Sequence, residues 1–232
     1  GPRLSMWQQQ VEVLRQRWRV LRYDTRGHGG STIDGTGADA AYTLQQLGAD
    51  VIGLMDRLEI GRAHFCGISM GGITGLWLGL HAPQRLLSLT VANSAARIGN
   101  AQGWDARAQQ VVEQGMAALA AGASARWFTD DFVARSPALV KRMTEQLAAS
   151  SANGYAACCR ALAEADLRAD LARIPVPTLV IAGRDDPVTT VDDARFVSQR
   201  VPGARLVELQ ASHLSNIEAA DAFTLALSQQ LG

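Results

Sequence analysis

Apolar residues in this chain return at two periods, and the alternation of the two predicts the architecture. Trp7, Val11, Leu14 and Trp18 recur at helical spacing, which predicts an amphipathic helix over 5–17. The stretch Arg19-Val-Leu-Arg-Tyr-Asp24 then reads as a strand and runs into the polar, glycine-rich loop from Thr25 to Ser31. Thr43 stands where an N-cap belongs, ahead of a helix whose apolar face is Leu44, Leu47, Val51, Leu54 and Leu58. The short apolar run from Ala63 to Ile68 predicts a strand, and a glycine-dotted helix follows it. Pro83 closes that helix soon after His81, and the stretch from Leu86 to Ala92 predicts a further strand. Helices alternating with strands in this order predict a parallel sheet wrapped by helices.

The period changes between Asn93 and Leu171. No strand candidate occurs there, and apolar residues come in helical steps among Ala, Gln, Glu and Arg. Breaks at Gly122, Ser136-Pro137 and Asn153-Gly154 predict about four helices. The stretch from Pro175 to Gly183 returns to a buried strand, followed by a helix from Val191 to Arg200. A strand from Arg205 to Leu209 and a closing helix from Glu218 to Leu231 complete the chain. The pattern divides it into a first core part (1–94), an all-helical cap (95–170) and a second core part (171–232).

Composition narrows the classes. With 232 residues, 47% hydrophobic and 19% charged, the chain can bury one sizeable core. Its 22 basic residues balance 22 acidic ones, which offers no field for nucleic acid or an anionic membrane. No apolar run reaches the roughly 18–20 residues of a bilayer span. Cys66, Cys158 and Cys159 have no metal-ligand spacing, and an adjacent pair within an odd count makes a poor disulfide framework. Cys66 reads as a small buried thiol within its strand. These cysteines point to a reducing cytoplasm. The sequence opens on Gly1-Pro2 rather than on a Met, which reads equally as a protease scar or as natural sequence, and nothing near it resembles a signal peptide.

The chemistry gathers at strand ends. Gly67-Ile-Ser-Met-Gly71 has the G-x-S-x-G pattern of an elbow that lifts a serine hydroxyl out of a sheet. Gly67 and Gly71 are both expected to be steric requirements, since a Cβ at either would collide with the neighbouring strand or helix. A serine needs a base to take its proton and an acid to orient that base. Of the four histidines, His64 and His81 fall in the elbow strand and its helix and read as structural, and His28 reads as loop-shaping. His213, between the last strand and the last helix, is the candidate base. Asp185 and Asp186 both follow the strand ending at Gly183, and spacing does not separate them; one has the bland role of a turn-former. The order Ser, Asp, His is that of the α/β-hydrolase fold.

Four segments together resemble the 3-oxoadipate enol-lactonases of aromatic catabolism. They are Gly67-Ile-Ser-Met-Gly-Gly72, Tyr23-Asp-Thr-Arg-Gly-His-Gly-Gly-Ser31, Val180-Ile-Ala-Gly-Arg-Asp-Asp-Pro-Val-Thr189 and Ala211-Ser-His-Leu-Ser-Asn-Ile-Glu218. The last of these and the insert segment Gly103-Trp-Asp-Ala-Arg107 are the narrower signals, and the resemblance spans essentially the whole chain. It implies Asp186, third after the strand-ending glycine, as triad acid with Ser69 and His213. It implies the Met70 amide as an oxyanion donor and a lactone substrate with a carboxylate arm. It implies no metal or organic cofactor. The arm asks for a cation: Trp104 and Arg107, three apart, share a helical face, and Arg126-Trp127 is a second candidate pair. The resemblance further implies that a hairpin and a third strand, roughly 30 residues by ordinary element lengths, are missing ahead of the first helix. With them would go the loop that donates the other oxyanion N–H.

The triad alone admits other cofactor-free hydrolases, such as an esterase, perhydrolase or carbon–carbon bond hydrolase. A non-catalytic ligand-binding relative is the rival from another class. Oligomeric state is not legible.

Overall fold

The computed structural model describes residues 3–31 and 40–232, so Gly1 and Pro2 lie outside the described residues. A 3-10 turn at Leu4–Trp7 leads into α1 (Gln8–Leu14), which is shorter than its periodicity predicts. Helix α2 (Leu44–Arg57) starts at a capping box in which the Thr43 hydroxyl accepts from Gln46 N and the Gln46 side chain accepts from Thr43 N. Strand β1 (Ala63–Ile68), α3 (Met70–His81) and β2 (Leu86–Ala92) match the predicted elements. Between β2 and the next strand lie α4 (Ala101–Gln114), α5 (Met116–Ala121), α6 (Ala123–Trp127), α7 (Asp130–Arg135), α8 (Pro137–Ala148) and α9 (Ala152–Glu164). Strand β3 (Thr178–Gly183), α10 (Val191–Arg200), β4 (Arg205–Leu209), α11 (Ser215–Glu218) and α12 (Ala220–Leu231) finish the fold.

The four strands form one parallel sheet in the order β1-β2-β3-β4. Every residue of β3 is buried, and its side chains alternate between two cores. Leu179 and Ile181 face α12 residues Phe223 and Leu227, whereas Val180 and Ala182 join the core that holds α3 and α10. Helices on both faces explain why β3 reads as a continuous apolar run rather than an alternating one.

Three expectations are corrected. The stretch from Arg19 to Asp24 is not a strand: it runs without ladder pairing. Strand β1 ends the sheet among the described residues, and a groove of about 520 Å³ separates it from Arg19–Tyr23. Strand propensity without a neighbouring ladder leaves an unpaired segment. Secondly, the insert has six helices, not about four. Gly115, at φ 76°, breaks an Ala-rich run that looks periodic throughout, and Thr129 caps a new helix with its hydroxyl. Thirdly, Asn153-Gly154 is no break but lies in the first turn of α9. Gly154 is needed for close approach, because a Cβ there would stand 2.4 Å from the Gly27 carbonyl oxygen.

Candidate active site

The four strands are parallel, so their carboxyl ends lie along one edge of the sheet, and Ser69, Asp186 and His213 follow the ends of β1, β3 and β4. Ser69 lies between β1 and α3 with φ 55° and ψ −117°, a strained backbone that costs roughly 1–3 kcal/mol. Its surroundings hold it there. Its N–H donates to the carbonyls of Ala92 (3.0 Å) and Asn93 (3.1 Å), and its carbonyl accepts from the Ser94 hydroxyl at 2.7 Å. A Cβ on Gly67 would stand 2.2 Å from the Gly71 carbonyl oxygen, so that glycine is a steric requirement. Gly71 is not: a Cβ there meets nothing within 4 Å, and the second tight position is Gly72, against Ser94. The motif's spacing pairs Gly67 with Gly71, but only the packing tells which Cβ position is occupied.

Beyond β3, Asp186 is buried and its carboxylate is fully engaged. Oδ1 accepts from the backbone N–H groups of Val188 (2.8 Å) and Thr189 (3.1 Å). Oδ2 accepts from the Thr189 hydroxyl at 2.8 Å, Asn93 Nδ2 at 3.0 Å and His213 Nδ1 at 2.8 Å. Burial works to raise this carboxyl, but the hydrogen bond and charge of His213, with the Asn93 and Thr189 donors, outweigh it and hold the group below its ordinary range. Asp185 is exposed instead and accepts from Gln210 Nε2 at 2.6 Å. The Nδ1–Asp186 bond leaves Nε2 of His213 as the ring nitrogen available to a proton from elsewhere.

Ser69, Met70 and His213 line one cavity of about 240 Å³ with Trp104, Arg107, Arg126 and Trp127. Met70 is the first residue of α3, where backbone N–H groups have no partner within the helix. The Arg107 guanidinium lies over the Trp104 ring at 5.0 Å, and Trp104 Nε1 donates to the Ile98 carbonyl at 2.5 Å. No salt bridge among the described residues engages Arg107. Tyr155 hydrogen-bonds Arg107, and burial pushes its phenol up to about 12. Burial and then the Arg107 charge lower the Arg126 guanidinium, so two cations face one small cavity.

The other histidines are placed as follows. His64 Nδ1 lies 2.7 Å from the Ser88 hydroxyl, and His81 stacks on Trp77 at 4.6 Å. His28 is buried in the cavity wall, 3.3 Å from the Arg26 carbonyl, and burial pushes its imidazole down to about 3. The three cysteines are free thiols, each pushed up to about 12 by burial. Among the described residues, no group of three or more His, Cys, Asp or Glu is placed to hold a metal ion, and no helix is long and apolar enough to cross a membrane.

Sequence reasoning missed Asn93. It stands at the end of β2 with φ 41°, donates to Asp186 and to the Ser212 carbonyl (3.2 Å), and accepts from the Ser215 hydroxyl. The available signal was its place, one residue past a strand beside the elbow.

A parallel sheet with a serine elbow, and an aspartate and histidine beyond its later strands, defines the α/β-hydrolase class, and the family model described as "alpha/beta hydrolase fold" matches residues 3–220. Among curated proteins, the chain is 51% identical to 3-oxoadipate enol-lactonase 2 of Acinetobacter baylyi over 98% of its own length and 84% of that protein's. It is 50% identical to 3-oxoadipate enol-lactonase 1 of the same organism, over 94% and 80%. Among solved structures, the enol-lactonase from Burkholderia xenovorans LB400 superposes with a TM-score of 0.96 at 46% identity, covering 100% of this chain and 87% of that one. The chain belongs to the 3-oxoadipate enol-lactonase family of α/β hydrolases.

Proposed function

We propose that this protein opens the lactone ring of 3-oxoadipate enol-lactone to give 3-oxoadipate, a step of the β-ketoadipate pathway of aromatic catabolism. The observation that carries this reading is Arg107, unpaired with any carboxylate among the described residues and stacked on Trp104 in the wall of the cavity that holds Ser69. A small cavity lined by both a cation and a serine hydroxyl suits a compact ester with an anionic arm.

Ser69 Oγ attacks the lactone carbonyl carbon while His213 Nε2 takes its proton. Asp186 holds the ring tautomer through Nδ1 and stabilises the imidazolium. The Met70 amide donates to the oxyanion. Collapse breaks the ring C–O bond; the acyl group stays on Ser69, and the enolate leaves and becomes the ketone after protonation from the imidazolium. A water deprotonated by His213 then adds to the acyl-serine and releases Ser69, so one lactone and one water give one 3-oxoadipate. No cofactor takes part. Residues 95–170 act as the cap that supplies Trp104 and Arg107, between core parts 1–94 and 171–232. The reading involves neither nucleic acid nor a membrane, and the free thiols support a reducing cytoplasm.

A substrate panel tests the reading. Selective turnover of the enol-lactone over simple aryl esters is expected; equal turnover of both would overturn it. Covalent labelling of Ser69 by a fluorophosphonate is expected as well, and an unlabelled serine would mark a non-catalytic relative.

A further inference from the structure

Both neighbours of His213 are tied to a single corner of the helical insert. Leu214 N–H donates directly to the Trp127 carbonyl at 3.0 Å. Ser212 N–H donates to Glu218 Oε2 at 2.8 Å, and Glu218 Oε1 accepts from Thr129 N at 3.2 Å and from the Thr129 hydroxyl. The same hydroxyl accepts from Phe132 N at the start of α7, so it has both a donor and an acceptor role to fill. The corner between α6 and α7 carries Arg126 and Trp127, which face the cavity.

We propose that Glu218 is a positioning residue: it registers the His213 loop against the cavity wall that the substrate touches. This inference rests on the reading of Ser69 and His213 as nucleophile and base. The Glu218 carboxylate bridges the backbone N–H groups of Ser212 and of Thr129, the latter 89 residues from Glu218, and makes charge-assisted bonds at both ends. The Trp127–Leu214 bond adds a second tie between the same two segments. Wall and base therefore move as one body. Loosening either tie displaces the imidazole relative to Ser69, and a displacement of about 1 Å costs up to about 10²-fold in rate. Substrate affinity has a separate source in Trp104 and Arg107, on α4.

The test uses Thr129→Val, Thr129→Ser, Glu218→Gln and the double variant Thr129→Val/Glu218→Gln in the full chain. Thr129→Val and Glu218→Gln are expected to lower kcat on the enol-lactone about 10–100-fold with KM within about twofold. Thr129→Ser keeps the hydroxyl and is expected to retain wild-type kcat. The double variant is expected to be no worse than the poorer single one, because both changes cut one network. Rates of Ser69 labelling by a fluorophosphonate should fall in parallel. If the lactone is not a substrate but labelling slows in Thr129→Val, the substrate reading fails and the positioning role stands. Unchanged kcat and labelling in Thr129→Val, a rise in KM alone, or equal loss in Thr129→Ser would each overturn the proposal. Should Glu218→Gln not fold, the two Thr129 variants decide.

Discussion

One oxygen of Asp186 is shared between His213 and Asn93: Oδ2 accepts from His213 Nδ1 at 2.8 Å and from Asn93 Nδ2 at 3.0 Å. Asn93 thereby connects the acid to the elbow, since its carbonyl also receives the Ser69 N–H. Replacing the acid by Asp186→Asn should leave the imidazole in the wrong tautomer and lower kcat/KM about 10⁴-fold. Asp185→Asn, at an exposed carboxylate bound to Gln210, should stay within about twofold, and Asn93→Ala should fall between them. Steady-state kinetics on the three variants checks the order. A larger loss in Asp185→Asn than in Asp186→Asn would reverse the assignment.

The two motif glycines should respond differently to alanine. At Gly67 the added methyl meets the Gly71 carbonyl 2.2 Å away, which neither backbone can yield cheaply. Gly67→Ala is expected to lower the melting temperature by several degrees or to abolish folding. At Gly71 the methyl enters open space in the first turn of α3, where alanine is favoured over glycine by roughly 0.5–1 kcal/mol. Gly71→Ala should fold with an unchanged or higher melting temperature. Thermal unfolding followed by circular dichroism separates the two.

His28 makes stability depend on pH. Burial pushes its folded-state value down to about 3, while an unfolded histidine titrates near 6.5. Between those values the unfolded chain binds a proton that the folded chain does not, so stability should fall as pH drops from about 6.5 towards 3. The loss from this one side chain amounts to roughly 2 kcal/mol at pH 5. Urea unfolding at pH 7.5 and pH 5 should show a smaller difference for His28→Asn than for the unaltered chain. Equal differences would show that the imidazole is accessible to protons in the folded state.

Arg107→Gln removes the charge that the proposed substrate arm would meet, while Trp104 and the proposed triad stay in place. A charged hydrogen bond contributes about 1.5–3 kcal/mol, so KM should rise roughly 10–100-fold with kcat little changed. A neutral aryl ester should not discriminate between variant and wild type. Loss of kcat on both substrates would place Arg107 in the folding of the insert instead.

Helix and strand periods alone determined most of the layered architecture, because each element's burial repeats along the chain at its own spacing. Ser69 and His213 stood out as candidates for a related reason: an elbow and a short loop are local features, and few histidines competed. What depended on distant neighbours was not legible. The stretch from Arg19 to Asp24 has strand composition but no adjacent ladder, and Gly71 has the motif's glycine without the collision that would require it. Asp185 and Asp186 are one residue apart in sequence; only the fold of the loop turns one carboxylate onto His213 and leaves the other at the surface. Asn93 and Glu218 acquire partners 93 and 89 residues away, and no periodicity reports a contact made across the sheet or between core and insert. The sequence by itself determined the elements and the reactive types, whose signals are local. The tertiary structure decided which of those types meet, because hydrogen bonds across the fold depend on where strand ends and loops come to rest.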